Sequence, residues 1–430
     1  MILSRPIMEK TKQKVTTLLL WLEHYTKIDM VYVARGSFWS ILSQIVLSFA
    51  SFLLSIAFAH FISKEAYGQY KYILSLASIF GTLTLTGLGL AVIQSVNRGF
   101  EGTMQYAFWQ NIKWSVLFFI ASFGASIYYF WNDNSSLGLS LLVIGGLWPF
   151  LTSTNFYTCY LTAKKDFRRN AIYFNIIGNL FPYICLFATM FVTSNPVWLV
   201  ITYVVSNTLI GIILYRRVVH IYNPNKKVDT EIISYSKHLS FMTILNGFSA
   251  NIDQVLVFHF IGPAQLAIYN FATAIPNQIK GPISNLGSLI FPKFIERSNS
   301  DIRSGMKNKM ILLFIGLITT IIVYIAVVPY IFHIFFPKYL DSIFYSQIFS
   351  LSLLWAISIP ASTYLTAKKK VKEQYIESIL GFIVQIILLS VGVIYWGLLG
   401  LVVARVAIRL MWALTAFVLY SRASTETLSG

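Results

Sequence analysis

Four basic residues lie inside otherwise apolar stretches: Lys113, Lys280, Arg405 and Arg409. An ionisable side chain inside a hydrocarbon-spanning segment is costly unless it meets a cavity or a partner, so each marks a candidate functional position. Arg405 and Arg409 are four residues apart and share one helical face. Lys280 is bracketed by Pro276, Gly281 and Pro282, a cluster expected to break the helix there. Interrupted helices at matching places in two halves of a chain mark the binding sites of transporters. Arg35 and Arg98 stand at the mouths of apolar stretches, and one acid, Asp253, lies as deep as the cations. Four interior cations against one anion make an electropositive interior, and Arg and Lys are the side chains that hold phosphate oxygens. Plainer readings stand beside this one. Lys113 and Arg405 can snorkel to an interface, and Lys280 and Arg409 can be structural.

The composition says what positions these residues. Of the 430 residues, 56% are hydrophobic and only 11% charged, with a mean hydropathy of +0.67. A soluble domain carries about 25% charged residues. Twelve mostly apolar stretches are long enough to span a bilayer: 37–62, 70–96, 106–130, 137–162, 170–192, 196–215, 238–260, 265–291, 310–335, 342–365, 376–395 and 398–421. The segments between them alternate sharply in charge. With the N-terminus inside, cytoplasmic segments hold 26 Lys and Arg and the opposite side only three, Lys64, Lys71 and Lys338. The positive-inside rule then places both termini in the cytoplasm. The net charge of +17 reflects these short basic runs, so nucleic acid is not an expected partner. The N-terminal stretch around Leu18–Leu22 reads either as an interfacial helix or as an extension of the first span.

The chain repeats itself. Tyr160-Leu161-Thr162-Ala163-Lys164-Lys165 recurs unchanged as Tyr364-Leu365-Thr366-Ala367-Lys368-Lys369, and Phe61-Ile62 with Tyr70 match Phe260-Ile261 with Tyr269. Exact repetition at equivalent points of the topology supports duplication. Six spans per unit keep both units the same way up, as parallel repeats around a central cavity. The expected organisation is all-α: a cytoplasmic segment 1–36, a six-helix bundle 37–215, a linker 216–237, a second bundle 238–421 and a tail 422–430.

Several chemistries find no support. The sequence has no Walker-type loop, no paired carboxylates and no His-rich metal spacing, so neither ATP, a metal nor another cofactor is expected, and the chain does not read as an enzyme. Cys159 and Cys185 lie in apolar stretches and give no disulfide framework. The outward loops near 131–136, 193–196 and 261–264 are only a few residues long, which leaves no room for the large external loop of membrane glycan-assembly enzymes.

The run Phe61-Ile62-Ser63-Lys64-Glu65-Ala66-Tyr67-Gly68-Gln69-Tyr70, with Gly87-Leu88-Gly89-Leu90-Ala91 beyond it, resembles the polysaccharide transporter family. So does Tyr160–Lys165 leading into a span with Asn175 and Asn179. These are the Wzx-type O-antigen flippases of the multidrug/oligosaccharidyl-lipid/polysaccharide exporter superfamily. The resemblance implies movement of an undecaprenyl-diphosphate-linked oligosaccharide, such as a lipopolysaccharide repeat unit, across the bacterial inner membrane, alongside other polysaccharide-assembly proteins. On that reading Lys280, Arg409, Arg405 and Lys113 are the diphosphate-binding candidates, and Arg35 and Arg98 line the access path. A cation-coupled drug exporter of the same superfamily is the alternative, though such a carrier is expected to line its cavity with acids. A polytopic glycan-assembly enzyme is a more distant one. Asp253 must be neutralised by a proton, a cation or a basic neighbour. It reads either as a structural partner of Lys280 on the next span or as a site where Na⁺ or H⁺ couples, with Asn246 and Asn251 supplying further oxygens.

Overall fold

The computed structural model describes the backbone of residues 30–284, 299–367 and 371–426, and every element in it is helical. In chain order the helices are α1 (Met30–Phe61), α2 (Lys64–Gly81), α3 (Leu88–Asn97), α4 (Thr103–Trp114), α5 (Val116–Trp131), α6 (Ser135–Thr154), α7 (Phe156–Ala163), α8 (Gly178–Val192) and α9 (Pro196–Tyr222). A short helical turn and a wide π-type turn, Ala171–Ile177, lead into α8. The second half holds α10 (Ile232–Phe260), α11 (Pro263–Ser284), α12 (Asn299–Phe335), α13 (Ser342–Ser350), α14 (Ile359–Ala367) and α15 (Val371–Glu426). Among the described residues, eight helical runs are long and apolar enough to cross a membrane. The longest, Ile379–Ser421, covers the last two expected stretches. It turns at Gly397, whose φ of +58° and ψ of −139° suit a residue without Cβ.

Local chemistry sets the boundaries. Ser63 caps α2 by accepting from the Ala66 N–H, and Asn134 caps α6 by accepting from that of Leu137, each at 3.2 Å. Asn195 caps α9, with Pro196 in the first turn, where its missing N–H costs nothing. Between α2 and α3 the chain leaves the helix, and the Thr82 and Thr84 hydroxyls donate back to Ile79 O and Gly81 O. The matching break expected at Lys280 is absent. Although Pro276 and Pro282 both lie within it, α11 runs unbroken to Ser284. Prolines are tolerated in buried apolar helices when neighbouring packing and local adjustments absorb the lost bond. The segment between α9 and α10 spans 223–231, tighter than the expected linker 216–237, because α9 continues to Tyr222.

The two halves pack together at one end, and the segment joining them is clasped at the other. At one end, Phe58, Tyr67, Phe271, Phe336 and Tyr339 form an aromatic plug. Tyr67 and Phe271 lie 5.1 Å apart, and Phe271 and Tyr339 only 3.9 Å. Over it lie an ion pair, Lys64–Asp341 at 3.3 Å, and a hydrogen bond that Lys338 Nζ donates to His60 O at 2.7 Å. The approach depends on Gly68, where an added Cβ would fall 1.9 Å from Pro263 O. Deeper in, α10 presses on the α2–α3 break, and a Cβ on Gly247 would lie 2.0 Å from Thr82 Cγ2.

At the opposite end, which carries the basic loops, the 223–231 segment is clasped to the loop between α3 and α4. Glu101 pairs with Lys164 and accepts from the Asn225 N–H and Tyr160 Oη. Asn225 in turn donates to Gly99 O. Asp229 pairs with Arg98 and accepts from Ser95 Oγ at 2.8 Å, while its own N–H donates to Thr103 Oγ1. Burial pushes the Glu101 carboxyl up, but its bonds from Lys164, Asn225 and Tyr160 outweigh that and hold it below its ordinary range.

Candidate functional site

Three of the four interior cations converge on one cavity of about 390 Å³, inside the size range of small-molecule sites. Helices α10, α11, α13 and α15 build it, all from the second half of the chain. Helical spacing explains the grouping. Arg405 and Arg409 lie one turn apart on α15, with Trp412 almost a turn further. Asp253 and Ser249 repeat that spacing on α10, as do Tyr269, Thr273, Asn277 and Lys280 on α11.

Asp253 is 4% exposed and fully engaged. Tyr269 Oη donates to its Oδ2 at 2.5 Å, the Gln254 N–H donates to its Oδ1 at 2.9 Å, and Arg405 Nε stands 3.4 Å from Oδ2. The same guanidinium donates through Nη1 to Ser249 O at 3.1 Å. Arg405 therefore points inward and does not snorkel. It is Arg405, rather than Lys280, that pairs with Asp253. The physical reason is register, since the facing turns of α10 and α15 bring the guanidinium level with the carboxylate.

Arg409, 9% exposed, makes its described hydrogen bonds to neutral groups. It donates to Ser352 Oγ at 2.6 Å and to Asn277 Oδ1 at 3.0 Å, and its guanidinium carbon lies 4.7 Å from the Phe349 ring centre. Lys280 Nζ rests 4.8 Å from the Trp355 ring centre, a cation–π contact. Three cations and one carboxylate line the cavity, so among the described residues Lys280 and Arg409 have no acidic partner. Such a site attracts a compact dianion with oxygen acceptors.

The remaining expected residues lie elsewhere. Lys113 is exposed on α4 and lines no part of this cavity, so its place in the cation cluster is corrected. The four-residue step from Trp109, itself 61% exposed, keeps Lys113 on the outer face. Arg98 lines a larger cavity of about 940 Å³ at the basic-loop end, together with Asp229 and Glu231. There its charge is matched by Asp229, so the residue expected at an access path stands as an ion pair and not as a bare cation. Arg35 and Asn246 fall in α1 and α10, with their side chains outside the described residues. Asn251 donates to Ser78 Oγ at 3.0 Å and to Gly247 O, tying α10 to α2 instead of contributing an oxygen near Asp253. Among the described residues, no group of three or more His, Cys, Asp or Glu is placed to hold a metal ion.

Sequence reasoning passed over Tyr269, Asn277, Gln385 and Trp412, which are among the other lining residues. Tyr269 carried a signal, as the partner of Tyr70 in the repeat. Gln385 carried none, being one amide in a long apolar run. In the structure it is fully buried and donates to Ser249 O, the carbonyl that also accepts from Arg405.

Residues 33–297 match a family described as "Polysaccharide biosynthesis protein". No curated protein matches the sequence. Among solved structures, an inward-facing multidrug resistance MATE family transporter of the MOP superfamily is similar, with a TM-score of 0.65 at 12% identity over 90% of this chain and 98% of that one. The lipid II flippase MurJ in an inward closed conformation gives 0.64 at 14% identity, over 89% of this chain and 86% of that one. A MOP superfamily transporter from Pyrococcus furiosus, described by a binding pocket of reverse polarity, gives 0.53 at 12% identity, covering 92% and 95%.

Proposed function

The chain belongs to the polysaccharide biosynthesis protein family, and on that premise we propose that it flips an undecaprenyl-diphosphate-linked oligosaccharide from the cytoplasmic to the outer leaflet of the plasma membrane. The observation that carries this reading is the pair of cations without an acidic partner among the described residues, Lys280 and Arg409, in a cavity whose third cation is held by Asp253. A diphosphate diester brings two negative charges and several acceptor oxygens, while its polyprenyl tail stays in the bilayer. The forked guanidinium of Arg409 suits bidentate phosphate contacts, and Lys280 adds a mobile point charge. A carrier of cationic drugs would face repulsion from the same excess.

The charge bias of the loops puts the basic-loop end in the cytoplasm, with both termini, and the aromatic plug at the outer face. The cycle then alternates between this plugged state and one in which Tyr67, Phe271 and Tyr339 separate. Na⁺ or H⁺ coupling is assigned to Asp253, where an arriving cation competes with Arg405 and frees the guanidinium for the diphosphate.

Deletion of the protein, with analysis of lipid-linked intermediates, tests this reading. Accumulation of diphosphate-linked units on the inner leaflet, restored to normal by wild-type protein but not by Lys280→Ala or Arg409→Ala at equal abundance, is the expected result. Normal surface polysaccharide in both variants would refute it.

A further inference from the structure

A groove of about 660 Å³ opens on the lipid-facing side of the first half, between the basic-loop ends of α4 and α9. The cation cavity is built by the other half, so the groove belongs to a different part of the molecule. Phe108 and Tyr215 form its floor, their ring centres 5.3 Å apart. Arg216 and His220 stand on its wall and are exposed, with Gln105 and Asn223 nearby. Among the described residues, no acidic side chain lines the groove and neither Arg216 nor His220 has an ion-pair partner.

The helix faces carrying these polar groups continue as apolar stripes. On α9, Leu209, Ile213, Arg216 and His220 follow one another at helical spacing, and the first two are 51% and 57% exposed. On α4 and α5, Trp109, Lys113, Val116 and Ile120 repeat that spacing, with basic and aromatic groups near the loop and aliphatic ones beyond. Each stripe thus runs from polar at the basic-loop end to apolar towards mid-membrane.

We propose that this groove is a binding site for an anionic diacyl phospholipid of the surrounding bilayer. The headgroup phosphate accepts from Arg216 and His220, with the Trp109 indole beside it at interfacial depth, as tryptophan prefers. The two acyl chains lie along the two stripes. Two separate apolar tracks fit a diacyl lipid better than a single-chain polyprenyl substrate. Basic pockets between the ends of spanning helices recognise acidic headgroups in this manner.

The test uses the purified, delipidated full chain titrated with phosphatidylglycerol or phosphatidylcholine, with bound lipid counted by native mass spectrometry. Phosphatidylglycerol should bind about tenfold more tightly, the gain expected from one to two basic groups near a headgroup. Arg216→Gln with His220→Gln should erase the preference, Arg216→Lys should keep most of it, and Arg409→Ala should leave it intact. Brominated phosphatidylglycerol should also quench tryptophan fluorescence more in wild type than in Trp109→Phe, a readout that does not depend on the charge variants folding. Equal affinity for the two lipids, a preference that survives the double Gln variant, or displacement of phosphatidylglycerol from the groove by polyprenyl phosphate would each overturn the assignment.

Discussion

Asp253→Asn nearly keeps the shape at the centre of the cavity, with one oxygen left to accept either from Tyr269 or from the Gln254 N–H. What it removes is the counter-charge of Arg405, whose side chain is 12% exposed and whose other described partners are the backbone carbonyls of Ser249 and Ala250. Leaving one member of a buried pair uncompensated costs about 3–5 kcal/mol. Because Arg405 keeps its bond to Ser249 O, the lower end of that range is expected. Neutralising both, as Asp253→Asn with Arg405→Gln, removes the stranded charge. The double variant should therefore be more stable than Asp253→Asn alone, with a coupling of roughly 1–3 kcal/mol, as for directly contacting residues. Chemical unfolding of the four proteins in one detergent, followed by tryptophan fluorescence, completes the cycle. If Asp253→Asn unfolds at the wild-type denaturant concentration, or the two substitutions simply add, the ion pair is not what holds this cavity. Transport in the same set then separates anchoring from coupling. A double variant that is stable yet no longer responds to collapsed ion gradients points to coupling.

Three further outcomes follow from other parts of the molecule. Lys113→Gln should leave export within about twofold of wild type, since the side chain is exposed outside the cavity and surface substitutions are usually worth less than ~0.5 kcal/mol; a complete loss in the complementation assay would return Lys113 to the site. Glu101 is held below its ordinary value of 4.5 in the folded chain, so its contribution to the clasp is full above that pH and is lost as pH falls through the lower folded value; the protection of amides over 223–231, corrected for the intrinsic pH dependence of exchange, should fall on acidification below about 4.5, and Glu101→Gln should flatten that response. Single cysteines at Asn134 and Asn225 should react with an impermeant reagent in intact cells at the first position and not at the second, and the reverse pattern would invert the assigned orientation.

Much of the fold was legible because the membrane leaves little choice: apolar runs must close their own hydrogen bonds, and loop charge marks their ends. Caps such as Ser63 and the turn at Gly397 follow from local rules of the same kind. What the sequence obscured were consequences of rotation and register. A one-dimensional reading sees that Lys113 and Arg405 are both embedded, but not that one looks outward while the other lies against Asp253. It also expected Pro276 and Pro282 to break a helix that packing keeps continuous.

The asymmetry between the halves carries the last step. The repeat at an offset of 199 sets Leu54 opposite Asp253 and Gly81 opposite Lys280, while Tyr70 stands opposite Tyr269. Tyr70 packs against Phe58 at 5.2 Å between ring centres, whereas Tyr269 donates to a carboxylate. The same scaffold position is thus apolar packing in one half and part of an ion-pair network in the other. The charged cavity residues lie on one bundle, and Gly68 and Gly247 stand where that bundle packs closely against its neighbour. Because Lys280 and Arg409 lie in the same half, they can stay together while the interface between halves opens. On the proposed cycle Lys280 and Arg409 need not be regrouped, and what has to break and re-form is the plug together with the Arg405–Asp253 pair.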